Sequence, residues 1–196
     1  SPSHYVAQIT EGVYFAAQKG LNVPLVYNSN GYDSFDSISL LDGIIDVYLP
    51  DIKYASNMYA RKYSVAKNYV ESARKAIIEM YRQVGNLQLD ENQLAVRGLI
   101  IRLLVLPNDI SETIDTLEWI KANLSLDVTI SLMSQYYPAN HADKIPLLSR
   151  GINYREYKKV EDRLIELGFA NGWLQGMEAP DYYRPDFEVP GHPFER

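Results

Sequence analysis

Leu99-Ile100-Ile101-Arg102-Leu103-Leu104-Val105-Leu106 is the most apolar run of the chain, and Pro107 closes it. A run this short and this apolar reads as a buried strand. Before it, Val70, Ala73, Ile77, Met80 and Val84 recur at helical spacing and Gly85 follows them. That pattern predicts a helix over 67–84 with one buried face. After it, Ile114, Leu117 and Ile120 predict a helix over 109–123, with Asp109 and Glu112 placed as in a capping box. Helix, buried strand and helix in succession are the building unit of a parallel α/β sheet.

The same alternation extends in both directions. Residues 4–19 carry Val6, Ile9, Val13 and Ala16 on one helical face, and Gly20 stands where a helix ends. A strand is expected over 23–27, a turn at Asn30-Gly31, a short helix over 34–41 capped by Asp33, and a strand over 44–49 ended by Pro50. Residues 55–65 read as a loop with a helical turn, and 86–97 as an excursion with a small hairpin around Asp90-Glu91-Asn92. Further on come a strand over 128–133, a helix over 154–167 and a short strand over 171–174. From Glu178 onward the chain holds four of its ten prolines and no periodicity. Residues 178–196 therefore read as an extended tail behind a domain of residues 1–177.

Strands joined by single helices imply parallel pairing through right-handed crossovers. About five strands are expected, whereas a closed barrel needs eight strands and about 250 residues. The expected fold is thus α/β, a partial (β/α) barrel of parallel strands whose N-terminal strands are missing.

Composition narrows the function classes. The chain has 196 residues, 46% hydrophobic and 22% charged, with a formal net charge of −6. A phosphate backbone needs a basic face, so a nucleic-acid partner is not expected. No basic amphipathic run and no apolar stretch of roughly 18 residues is present, so no membrane partner is expected either. The chain contains no cysteine, which suits a cytoplasmic setting and removes every thiolate ligand. His4, His141 and His192 lack metal-ligand spacing, so no metal ligands are assigned. No phosphate loop, dinucleotide fingerprint or nucleophile elbow is present.

Ligands of parallel α/β folds bind at the carboxyl ends of the strands. Those positions here hold Asn28-Ser29-Asn30-Gly31, then Asp51 with Lys53, then Arg102 inside its apolar strand, then Ser134-Gln135. Together they suggest one polar ligand held from several sides. Each also has a plainer reading. Asn30-Gly31 suits a turn, and Asp51 with Lys53 suits a surface ion pair worth under about 1 kcal/mol. Arg102 is harder to explain without a partner, because an unpaired guanidinium among apolar residues costs several kcal/mol.

In order and spacing, four stretches resemble the radical S-adenosylmethionine (SAM) proteins, in the subgroup similar to the pyruvate formate-lyase activating enzyme. They are Leu25-Val26-Tyr27-Asn28-Ser29-Asn30-Gly31-Tyr32-Asp33-Ser34, residues 40–54 with Leu49-Pro50-Asp51-Ile52-Lys53-Tyr54, Glu79-Met80-Tyr81-Arg82-Gln83-Val84-Gly85, and Gly98-Leu99-Ile100-Ile101-Arg102. The likeness continues to Met133-Ser134-Gln135-Tyr136. It implies a partial (β/α)6 barrel, SAM and a [4Fe–4S] cluster. It also implies reductive cleavage of SAM to a 5′-deoxyadenosyl radical, and a glycyl radical enzyme or other protein as partner. Site positions implied by the resemblance are Pro2 in the amine-binding stretch, Asn28 at an acidic contact position, Asp51 and Lys53 in an Asp-x-Lys motif, Arg102 on its strand, and Gln135. Asn30 belongs with them from its strand-end position.

The family's CxxxCxxC segment has no counterpart in these 196 residues. The chain is therefore read as a fragment of such a protein, inactive by itself. Two other readings stay open. One is a non-catalytic module that binds a SAM-like ligand; the other is an unrelated α/β barrel lyase or hydrolase using Asp51 and Lys53. A fragment lacking its leading strands would expose an open sheet edge, so self-association along that edge is expected.

Overall fold

The computed structural model describes residues 2–182. A 3-10 turn at Pro2–His4 leads into α1 (Val6–Gln18), β1 (Val26–Ser29), α2 (Phe35–Ser39), β2 (Val47–Ile52), α3 (Asn57–Ser64) and α4 (Tyr69–Val84). Then follow β3 (Gln88–Leu89), β4 (Ala95–Leu104), α5 (Thr113–Asn123), β5 (Thr129–Met133), α6 (Tyr154–Leu167), β6 (Gly172–Leu174) and α7 (Ala179–Tyr182). The strand order among the described residues is β1-β2-β4-β5-β6, with β3 attached to β4. Every pair is parallel except β3 with β4. The protein is α/β with an open, mainly parallel sheet, an arrangement compatible with part of a barrel. No helix among the described residues is long and apolar enough to cross a membrane.

Strand alternation sorts the side chains. Tyr27, Tyr48, Leu99, Ile101, Leu103, Ile130 and Leu132 face the helices and join one buried cluster. Ile38 follows from α2, Ile77 and Met80 from α4, Leu117 and Ile120 from α5, and Val160 and Leu164 from α6. At about 25 cal/mol per Å² of buried apolar surface, this layer is the main source of stability. A second cluster, with Tyr54, Tyr69, Val70, Leu106, Ile110 and Leu148, is built from the segments that follow the strands.

Several expectations shift. Pro50 lies inside β2 instead of ending it. It has no N–H to give, and the β2–β4 ladder skips Leu49 and Pro50 before resuming at Asp51. β1 begins at Val26, later than expected, because Pro24 has no donor and the Leu25 N–H is taken by the Asp46 carboxylate at 2.8 Å. β4 begins early, at Ala95, because β3 pairs with it across the expected Asp90 turn.

Helix caps also differ from the sequence reading. Ser34, not Asp33, caps α2 by accepting from the Ser37 N–H. Asp109 and Glu112 form no capping box, since Glu112 sits at φ 48° and makes no cap bond. The capping box of this chain is Asn153 with Glu156 at the start of α6. Residues 57–64 form a true helix, closed by Val65 in left-handed backbone. One helical turn, α7, heads the stretch expected to be wholly extended, and residues 183–196 of that tail lie outside the described residues.

Candidate functional site

The face of the sheet opposite α2, α4, α5 and α6 carries the polar strand residues. Asp51 on β2 and Arg102 on β4 are register partners. Arg102 Nη2 stands 2.6 Å from Asp51 Oδ1, and it donates to Asn28 Oδ1 on β1 at 2.8 Å. Lys53 Nζ stands 3.4 Å from Asp51 Oδ2. Three neighbouring strands thus bring four of the expected residues into one charged group. Its charges, one carboxylate against two cations, leave it net positive.

The group is only partly satisfied. The contact of Arg102 Nη2 with Asp51 Oδ1 is an ion pair without hydrogen-bond alignment. Asp51 Oδ1 and Arg102 Nε are both buried with no hydrogen-bond partner. Buried polar atoms are normally bonded, so each exception asks for a cause. Asp51 is 9% exposed, while the Arg102 side chain keeps 24% of its surface open. The pair is therefore anchored from below and open from above.

Local backbone fixes this geometry. Gly31 has φ +72°, and a Cβ there would lie 2.0 Å from the Asp51 carbonyl oxygen. Only glycine lets the turn after β1 approach the β2 backbone so closely. Beneath it, buried Asp33 accepts from Ser29 Oγ at 2.7 Å and from Tyr27 Oη at 3.1 Å, while Ser29 Oγ accepts from the Gly31 N–H. Burial first, and then the Asp33 charge, push the Tyr27 hydroxyl far above the usual tyrosine range, so it stays a donor. On the other flank, Tyr69 Oη accepts from the Lys53 N–H at 2.9 Å. Burial likewise raises the Tyr69 hydroxyl, with that backbone donor pulling the other way.

The remaining expected positions lie apart from this group. The exposed Asn30 side chain accepts from the Tyr32 N–H and so holds its own turn. Pro2 opens the 3-10 turn whose Ser3 bonds the Tyr27 hydroxyl, on the face of β1 opposite to Asn28. Gln135, past the end of β5, accepts from Gln175 Nε2 at 3.1 Å, and Gln175 Oε1 in turn accepts from the Ser134 N–H.

Two residues of this face were not singled out from sequence. Register places Ser131 beside Arg102 and Trp173 beside Ser131, so Asp51, Arg102, Ser131 and Trp173 form one row across four strands. Trp173 is 54% exposed. It lines a cavity of about 640 Å³ with Ser131, Gln175 and Glu178. The only sequence signal was an indole in a very short strand, and pairing had to be known before it joined the row. An aromatic face beside a mixed-charge row can hold an organic ligand that has both a ring and ionic groups.

No family model matches the chain, and no solved structure matches it. It is 30% identical over 140 residues, 71% of its length, to an uncharacterized protein of Methanocaldococcus jannaschii. The chain spans 37% of the length of that curated relative.

Proposed function

We propose that Asn28, Asp51, Lys53 and Arg102, with the row they adjoin as far as Trp173, bind S-adenosylmethionine, and that the chain is part of a radical SAM protein similar to the glycyl-radical-enzyme activating enzymes. The carrying observation is the convergence of Asn28, Asp51 and Arg102 on the face opposite α2, α4, α5 and α6, with Asp51 Oδ1 and Arg102 Nε left unbonded. The open parts of Arg102 and Lys53 can receive a ligand carboxylate, and the remaining open edge of Asp51 an amino group. The Trp173 cavity next to them is roomy enough for a ring. In this reading Arg102 and Lys53 hold the ligand carboxylate, Asp51 holds its ammonium group, and Asn28 fixes the Arg102 rotamer.

A cluster fits these residues poorly. A [4Fe–4S] cluster is held by cysteine thiolates, and the 196 residues contain none. Among the described residues no group of three His, Cys, Asp or Glu could hold a metal ion. Any such cluster would need ligands from other polypeptide, and this chain by itself offers a binding surface and no radical chemistry. A glycyl radical enzyme as partner and a cytoplasmic location belong to the same proposal.

The test is calorimetric titration of the chain with SAM and, separately, with ATP, which shares the adenosine of SAM but lacks its amino and carboxylate groups. Saturable SAM binding that weakens in Arg102→Ala and Asp51→Asn supports the proposal. No heat with SAM, or binding indifferent to both substitutions, overturns it.

A further inference from the structure

Residues 53–68, between the end of β2 and the start of α4, carry Lys53, Arg61, Lys62 and Lys67 and no Asp or Glu. In a chain of formal net charge −6 this is a local reversal of sign. Its centre is α3. Met58, Arg61, Lys62 and Val65 follow one another at i, i+3, i+4 and i+7, so they share one side of the helix. The other side is packed: Ala60 is buried, and Tyr59 and Tyr63, stacked at 5.9 Å, lie against the second apolar cluster. Met58 and Val65 are 63% and 81% exposed, and Arg61 and Lys62 between them are exposed too. A cavity of about 340 Å³ opens on this side, lined by Asn57, Met58, Arg61 and Lys62. Val65 closes the helix in left-handed backbone at φ 55°, a conformation that β-branched residues rarely adopt.

These cations have no carboxylate of their own. Among the described residues, Arg61, Lys62 and Lys67 take part in no ion pair. Lys62 Nζ stands 5.1 Å from the centre of the Tyr63 ring, a contact that orients the ammonium group without neutralising it. The helix itself is held in place. Asn57 Oδ1 accepts from the Val70 N–H at 3.0 Å, and Asn57 Nδ2 donates to Glu71 at 2.9 Å. The same segment is tied to the candidate site. Tyr32, in the turn after β1, donates to the Lys67 carbonyl at 2.6 Å, and Tyr69 Oη accepts from the Lys53 N–H.

Charge and size indicate the occupant. An eight-residue helix is about 12 Å long, too short a basic track for a phosphate backbone, whose affinity comes from many contacts in a row. Met58 and Val65 flank the two cations, so the complementary surface has carboxylates set among apolar side chains. A polypeptide supplies that combination, and a charged helix face recognises it as basic clusters recognise acidic motifs.

We infer that the outer face of α3 docks an acidic segment of a protein partner, with Arg61 and Lys62 meeting its carboxylates and Met58 and Val65 its apolar side chains. The inference rests on the charge and exposure of α3 and does not require that SAM binds.

The experiment is fluorescence anisotropy of a labelled synthetic peptide of alternating glutamate and leucine, titrated with the 196-residue chain at low salt. A lysine–leucine peptide and a short single-stranded DNA serve as the other probes. Saturable binding of the acidic peptide alone is expected. Arg61→Glu with Lys62→Glu should weaken it at least about tenfold and lower its salt dependence, and Met58→Ala should weaken it about threefold. The same charge change on α6, Lys158→Glu with Lys159→Glu, should leave it unchanged. All the substituted side chains are at the surface, and circular dichroism confirms that each variant is folded. Absence of binding, binding indifferent to the α3 reversal, an equal loss on reversal of the α6 pair, or tighter binding of the DNA overturns the proposal.

Discussion

Arg102 Nη2 donates to Asn28 Oδ1 at 2.8 Å although 74 residues of chain and one intervening strand separate them. The same nitrogen stands 2.6 Å from Asp51 Oδ1 on that intervening strand. Arg102→Ala therefore removes the only guanidinium that both groups share. Asp51 is left nearly buried and without its main counter-charge, which should cost roughly 1–3 kcal/mol in urea unfolding. SAM affinity should fall at least about tenfold, since a charge-assisted contact to a carboxylate is lost. Arg102→Lys should recover part of the stability but little of the affinity, because an ammonium cannot span both partners.

Gly31→Ala forces a Cβ to within 2.0 Å of the Asp51 carbonyl oxygen and holds alanine at φ +72°. The expected loss is at least about 2 kcal/mol, because the clash is with backbone and cannot be relieved by a rotamer. Gly12→Ala is the contrasting case. Gly12 lies inside α1 with open space at its Cβ position. That substitution should stabilise by about 0.5–1 kcal/mol. Equal effects for the two in thermal unfolding would contradict the close approach of the β1 turn to β2.

Glu156 gives the chain an acid-labile anchor. The Arg150 guanidinium, followed by the Asn153 and Asn108 N–H donors, lowers its carboxyl to about 2 against the opposing effect of burial. A carboxyl depressed by folding stabilises above its unfolded pKa and loses that contribution as pH falls through the folded value. Stability should therefore decline between about pH 5 and pH 2, by roughly 1–2 kcal/mol from this group after solvent screening. Glu156→Gln should be less stable at pH 7 and show a flatter acid decline. An unchanged acid limb in the variant would count against the assignment.

Tyr48→Phe tests the polar link beneath the sheet. Tyr48 Oη is fully buried and donates to Gln83 Oε1 at 2.6 Å, and Gln83 Nε2 donates to the Ile38 carbonyl and to Glu79. Burial raises the Tyr48 hydroxyl, so it remains a donor at every working pH. Removing it leaves a buried acceptor unsatisfied, for about 1–3 kcal/mol. Ligand binding on the opposite face should be unaffected.

Much of the fold was legible because its signals are local. The buried face of α4 follows from the spacing of Val70, Ala73, Ile77 and Met80, all of which are buried. The boundaries were less legible. Pro50 looked like a stop, but a proline can sit in a strand where the neighbouring ladder skips it. The α6 capping box went unnoticed because Asn153 and Glu156 gain their roles from cap backbone geometry, which two isolated letters do not announce.

The candidate site divides along the same line. Sequence by itself determined the residue types: strand-end Asn28, Asp51, Lys53 and Arg102, an apolar strand around Arg102, and no thiolate anywhere. Only the tertiary structure decided that β2 lies between β1 and β4, that Asp51 and Arg102 share a register, and that Trp173 extends their row. The physical reason is range. Period-two alternation assigns each side chain to a face from its nearest neighbours, whereas strand order and register are set by burial summed over the whole sheet.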